Sequence, residues 1–344
     1  MVEPHRRAAG ASQAAPGFPG VSVAVDAMSG ERAPDDVVRG AAELSLSSGS
    51  IELLLVGDAR AITERLSRLP HNPERIDVRP AADALDGAVA LVASGEAAAV
   101  VTAGEVDALV RSCRERLRLL PGVTAPALGA VYPTALRRGT KGDPFCLILD
   151  VGATLAPAAE ELVRFAELGT LYARAVSHNP RPRVAILAPG GRAERAPPEI
   201  AEAAARLAEV AGVDFLGALD PTEIPKGEAD VVVCGGFVGA SVLSLLDGAS
   251  GLVVDLARYG QKQRLLWRLG LAMLSGGVGQ LKRVTDWKQY GGAPLLGFEK
   301  LVLRAHPGSG ALAIQNACRV AAKVLSADLS AGLSAPGAPK RESA

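Results

Sequence analysis

A chain of 344 residues, 49% apolar, 22% charged and 3% aromatic, is long enough for a substantial core built mainly from Ala, Val and Leu. Its formal net charge of +0 excludes a global field drawing it to nucleic acid, so any basic site is local. Cys113, Cys146, Cys234 and Cys318 form no CxxC pair, and His5, His71, His178 and His306 show no ligand spacing. This argues against zinc and disulfides and for a reduced interior.

In chain order, residues 1–20 are rich in Ala, Gly and Pro and lack the continuous apolar segment of a signal peptide. They read as a disordered leader, and 331–344 as a disordered tail. Between them, 21–330 reads as a single α/β domain with two lobes. Short apolar runs recur there as candidate buried strands: "VSVAVDAMSG", "IELLLVGD", "AAVVTAG", "FCLILDVGA", "RVAILAPGG", "ADVVVCGG" and "KLVLRAH". Segments of helical spacing separate them, among them "PDDVVRGAAELSLS", "PAAEELVRFAELGTLYARAV" and "PPEIAEAAARLAEVA". In the last, Pro197 and Pro198 suit a first helical turn and Gly212 suits the stop.

Strand, small-residue turn and helix in repetition predict a mostly parallel sheet, with ligands beyond the carboxyl ends of its strands. The turns at 26–30, 102–104, 150–152, 188–191, 235–239 and 306–310 are therefore the candidate site, and nearly all carry glycine. No Walker A, GxGxxG, HExxH or GxSxG pattern is present, which speaks against a P-loop NTPase or a metalloenzyme. No run is long and uncharged enough to span a bilayer, so the chain reads as cytoplasmic. "VRSCRERLRLL" carries Arg111, Arg114, Arg116 and Arg118 as a basic face. In 253–277, Leu266, Trp267, Leu271 and Leu274 make an apolar edge flanked by Lys262, Arg264 and Arg268. Such an edge packs in a dimer or lies in a membrane interface.

"DAMSGERAPDDVVRGA" (26–41), "LILDVGA" (147–153), "FAELGTLYA" (165–173), "IPKGEADVVVCGGFVGA" (224–240) and "YGGAPLLG" (290–297) resemble, in order and spacing, the PlsX-type phosphate acyltransferases. The resemblance runs from about residue 21 to about residue 327, with one internal shortening. It implies a three-layer α/β/α fold like that of phosphotransacetylase and the isocitrate and isopropylmalate dehydrogenases, with a cleft between lobes. It also implies a homodimer touching the membrane peripherally. The implied reaction moves a fatty acyl group from acyl carrier protein to inorganic phosphate for phospholipid synthesis, without cofactor or metal. Phosphate is already a nucleophile, so such a site needs an anion cradle and oxyanion donors rather than a triad.

On the resemblance, Lys141 and His306 are the candidate catalytic residues. Asp26, Met28, Gly30, Thr102, Gly104, Asp150, Gly152, Gly236, Gly239, Gly291 and Gly292 are the candidate substrate-binding ones. The 253–277 edge supplies the membrane or dimer contact, and the basic face meets the acidic carrier protein. Plainer roles stand beside these: helix capping for Asp26 and Asp150, a solvated turn for Lys141, a structural histidine for His306.

The chain also departs from the family pattern. "TAGEVDA" (102–108) brings Glu105 and Asp107 to a loop where a carboxylate repels phosphate. Gly235 and Ala240 replace polar side chains, "APGGRAERA" (188–196) replaces a polar loop, and a basic segment after "RIDVRPAADAL" is missing. A second reading follows: a catalytically lapsed homologue that binds or regulates partners in lipid synthesis. A third, a phosphotransacetylase-like enzyme using coenzyme A, rests on fold alone.

Overall fold

The computed structural model describes residues 20–47, 51–138, 143–263 and 291–326. Lys141, Leu266, Trp267, Leu271 and Leu274 lie outside the described residues, as do the expected tail and all of the leader but Gly20.

The first half of the chain forms β1 (Val21–Asp26), α1 (Asp35–Ser47), β2 (Ile51–Gly57), α2 (Ala59–Leu66), β3 (Ile76–Pro80), α3 (Ala84–Ser94), β4 (Ala99–Thr102), α4 (Val106–Arg116) and β5 (Ala127–Arg138). There follow β6 (Asp143–Leu149), α5 (Ala159–Ser177), β7 (Arg183–Leu187), α6 (Pro198–Leu207), β8 (Asp214–Leu219), β9 (Val231–Val233) and α7 (Gly236–Gln263). The last elements are β10 (Ala293–Leu296), β11 (Leu301–Arg304) and α8 (Ala311–Ser326).

The seven apolar runs all contain strands. β1, β2, β4 and β9 have aliphatic residues on both faces because helices cover both sides. β3 and β8 are the edge strands, and their mixed composition hid them. β5 carries Pro133 and ends in Arg137–Arg138, while β10 lies inside the stretch "YGGAPLLG". Pro198 opens α6 as expected. The helix ends at Leu207, however, and looser turns carry the chain to Gly212.

The sheet order is β3-β2-β1-β4-β11-β10-β5-β6-β9-β7-β8. β1, β2, β3, β4 and β11 are parallel, and so are β6, β7, β8 and β9. Three successive antiparallel pairings, β11–β10, β10–β5 and β5–β6, join the groups. The two parallel groups therefore point in opposite directions. α3, α4 and α7 cover one face of the sheet, and α1, α2, α5, α6 and α8 cover the other, which makes three layers.

All four cysteines are buried and free. Burial pushes the thiols of Cys113 and Cys318 up to about 12 and raises those of Cys146 and Cys234 further. Native protein at pH about 8 should therefore react negligibly with a thiol reagent within minutes, and urea should release all four groups. Rapid titration of any thiol in folded protein would contradict this core.

Candidate active site

The carboxyl ends of β1, β4 and β11 are adjacent, so three of the glycine turns meet. Asp26 is 1% exposed. Its carboxylate accepts the N–H groups of Met28 (3.1 Å) and Ser29 (3.2 Å) and the Thr102 hydroxyl (2.7 Å). Thr102 Oγ1 in turn accepts the Gly104 N–H at 2.9 Å. A Cβ at Gly30 would lie 2.9 Å from Ala103 Cβ and 3.1 Å from the Pro307 carbonyl, so this position closes the β1 turn onto the other two. Met28 packs over Gly57 at the rim. Asp26 and Thr102 are thus occupied in fixing the turns.

The 150–154 and 235–239 turns form a second cluster, at the opposite edge of the sheet because β6 and β9 run the other way. Asp150 is fully buried and accepts the N–H groups of Leu128 (2.8 Å), Gly152 (3.0 Å), Ala153 (3.0 Å) and Thr154. Gly236 and Gly239 stack directly on it, which only a residue without a side chain allows. Burial raises the Asp150 pKa above its ordinary 3.8, and the backbone N–H groups oppose the rise. Because the folded state holds this proton more tightly than the unfolded chain, its stabilisation is full below the unfolded value and is lost as pH rises through the raised one. Urea midpoints of wild type and Asp150→Asn, compared from about pH 4 to about pH 7, should therefore shift against wild type as pH rises. Parallel profiles would refute the assignment.

A cavity of about 200 Å³ joins the clusters along one face of β5. Val151 and Ala240 border it near the Asp150 cluster, and Gly292, Arg304 and His306 near the other, with Leu243, Ser244 and Asp247 of α7 along the side. Arg304 is the main cation here. Its Nε donates to the Gly104 carbonyl at 2.7 Å. Burial pushes the pKa of its guanidinium below the ordinary value, and Glu105 offsets part of that. The Glu105 carboxylate expected to repel an anion thus stands beside a cation that compensates it. His306 Nδ1 accepts the Gly308 N–H at 3.0 Å, so the neutral ring carries its proton on Nε2. In the same loop the buried Ser309 hydroxyl has no hydrogen-bond partner among the described residues.

Gly291 and Gly292 have φ of +90° and +86°, in the region that favours glycine. They turn the chain into β10 beside α8 and β11, where a Cβ would lie 2.5 Å from Val320 Cγ2 and 3.1 Å from the Arg304 carbonyl, respectively. Gly152 (φ +129°) turns the chain beyond Asp150 and meets nothing there. Ala240 adds only a methyl group to its stretch of cavity wall, and a Cβ at Gly235 would lie 3.1 Å from Pro157 Cδ, so the loop packs closely there.

Of the expected site residues, Gly292 and His306 line the cavity. Asp26, Met28, Gly30, Thr102 and Gly104 lie in the β1 and β4 turns of the first cluster, and Gly291 lies beside Gly292. Asp150, Gly152, Gly236 and Gly239 lie in the second cluster. Reading by motif missed Arg304, Ser309 and Asp247. A cation ending an otherwise apolar strand two residues before His306 was the available signal for Arg304. Asp247 lies mid-helix and gave none. Among the described residues no group of three or more His, Cys, Asp or Glu side chains is placed to hold a metal ion.

Comparison with known proteins gives a consistent family. The fatty acid synthesis protein family matches residues 21–331. A phosphate acyltransferase of Clostridium perfringens is 31% identical, covering 91% of this chain and 95% of its own. A phosphate acyltransferase of Moorella thermoacetica is 34% identical, covering 92% and 96%. Among solved structures, a phosphotransacetylase from Streptococcus pyogenes matches with a TM-score of 0.60 at 17% identity, covering 89% of this chain and 94% of that one. A branched-chain phosphotransacylase from Enterococcus faecalis matches with a TM-score of 0.54 at 15% identity, covering 89% and 99%. At such identities the structural likeness establishes the fold.

Proposed function

This chain belongs to the fatty acid synthesis protein family, whose matched relatives are named phosphate acyltransferases, and we propose that it transfers a fatty acyl group from acyl carrier protein to inorganic phosphate. The observation that carries the reading is the half-buried Arg304 guanidinium at the end of a cavity that also holds His306. A partly desolvated guanidinium is a strong anion site. A phosphate oxygen held there attacks the thioester carbonyl carbon. The carbonyl electrons move onto oxygen and return as the C–S bond breaks. The products are acyl phosphate and the carrier thiolate, which takes up a proton. His306 Nε2–H and nearby N–H groups are the candidate donors to the oxyanion. In this proposal Asp26 and Thr102 on one side, and Asp150 with Gly236 and Gly239 on the other, position the loops.

The exposed arginines Arg111, Arg114, Arg116 and Arg118 on and after α4 lie on the cavity's side of the sheet and suit an acidic carrier protein, although Arg116 already pairs with Asp86. α7 leaves Val238, Leu245, Leu252, Leu256 and Tyr259 exposed along one stripe, with Leu245 74% exposed. That stripe supports a role for α7 and the 253–277 segment in a homodimer or at a membrane surface. Among the described residues no helix is long and apolar enough to cross a membrane.

The direct test is turnover of purified protein with long-chain acyl carrier protein and phosphate, trapping acyl phosphate with hydroxylamine. Phosphate-dependent carrier release supports the reading. Its absence beside an active relative favours the lapsed homologue, for which the lone methyl group at Ala240 and the closely packed loop at Gly235 speak.

A further inference from the structure

β5 and β10 pair only at Leu128–Leu295 and Ala127–Leu296. Ala293 and Pro294 pair with β11 on the other side of β10, and Pro294 still packs on β5, its Cγ 3.2 Å from where a Cβ of Gly129 would lie. Beyond that contact Gly292, Ala293, Ala130 and Val131 border the first cavity. On the opposite face of the sheet lies a second cavity of about 180 Å³ among Phe145, Leu147, Tyr172, Val176 and Val320. Val131 borders both. The glycine pair stands at the same divide, with Gly292 on the first cavity and Gly291 against Val320 of the second.

The amide and charged groups at the rim of the second cavity are engaged. Asn179 Nδ2 donates to Asp230 at 3.2 Å, the Arg183 N–H donates to Asp230 at 2.8 Å, and the Lys323 ammonium donates to the Val176 carbonyl. Apart from the Tyr172 and Ser177 hydroxyls the rest of the wall is apolar, which favours an alkyl occupant over water.

We propose that the second cavity receives the distal alkyl chain of the acyl donor. The chain enters from the first cavity, between β5 and β10, where Val131 borders both cavities. This inference rests on the acyl-transfer reading above. The cavity has room for on the order of six water-sized or methylene-sized groups, so it grips only part of a long chain and discriminates by length.

The test uses full-length protein with Val176→Trp, which fills the cavity, and Val176→Ala, which widens it. Two quantities are read: the ratio of kcat/KM for hexadecanoyl over butanoyl carrier protein, and the Kd for cis-parinarate, a fluorescent fatty acid. The Trp variant should lower the ratio and weaken parinarate, each by about tenfold or more, and the Ala variant should raise the ratio by more than about twofold. Ratio and Kd both within about twofold of wild type in a folded Trp variant would overturn the proposal. If the Trp variant does not fold, the Ala variant decides, and an unchanged ratio and Kd overturn it. If wild type shows no phosphate-dependent turnover, the acyl-transfer reading fails separately. Parinarate then decides alone: weakening by Trp supports an alkyl site, and unchanged affinity removes it.

Discussion

Replacing Arg304 by alanine should lower kcat/KM for phosphate by about 10²–10³-fold, through a higher KM for phosphate and a lower kcat together. The side chain is a half-buried cation at the cavity end, fixed by the Gly104 carbonyl at 2.7 Å. Its removal takes away the charge that holds the nucleophile and leaves Glu105 uncompensated on the same loop. Arg304→Lys should recover only part of the loss, because an ammonium lacks the planar fork that can hold a carbonyl and an anion together. Hydroxylamine trapping at varied phosphate, beside melting curves for each variant, makes the measurement. An Ala variant within about threefold of wild type would place the phosphate elsewhere.

The largest effect on stability is expected at Gly239. A Cβ there would lie 1.9 Å from the Asp150 carbonyl oxygen and 2.9 Å from Cys234 Sγ. The carbonyl has little freedom to retreat. The Asp150 N–H bonds the Cys234 carbonyl at 3.0 Å, the Cys234 N–H bonds the Leu149 carbonyl at 2.8 Å, and four backbone N–H groups hold the Asp150 side chain. Gly239→Ala should therefore cost about 3 kcal/mol or more, read as a fall in the urea midpoint at unchanged slope. Gly248 is the control in the same helix. It is exposed, nothing lies within 4 Å of its would-be Cβ, and Gly248→Ala should gain about 0.5–1 kcal/mol from helix propensity. A loss below about 1 kcal/mol at Gly239 would contradict the packing of α7 onto the Asp150 turn.

Much of this could be read from the chain because the dominant signals are local. A strand buried on both faces must be aliphatic throughout, so "IELLLVG" and "AVVT" declare themselves without a partner. Edge strands are under no such demand, and β3, with Asp77 and Arg79, was correspondingly invisible. At the site, the motifs picked out residues whose backbone geometry is unusual, such as Asp150, Gly239 and Gly291. The catalytic proposal turns instead on Arg304, an ordinary arginine in an ordinary strand, which matters because burial and the Gly104 carbonyl single it out. Glu105 likewise reads as an intruder in one dimension, while in space it faces a cation.

By itself the sequence determined the α/β class, the family, most of the central strands and the identity of the glycine turns, since periodicity, composition and short motifs are properties of neighbouring residues. Only the tertiary structure decided that these turns open at opposite edges of one sheet, that a cavity along β5 connects them, and that Gly291 and Gly292 stand between two cavities. Strand direction and pairing set all three, and they depend on contacts between segments far apart in the chain, which no local pattern encodes.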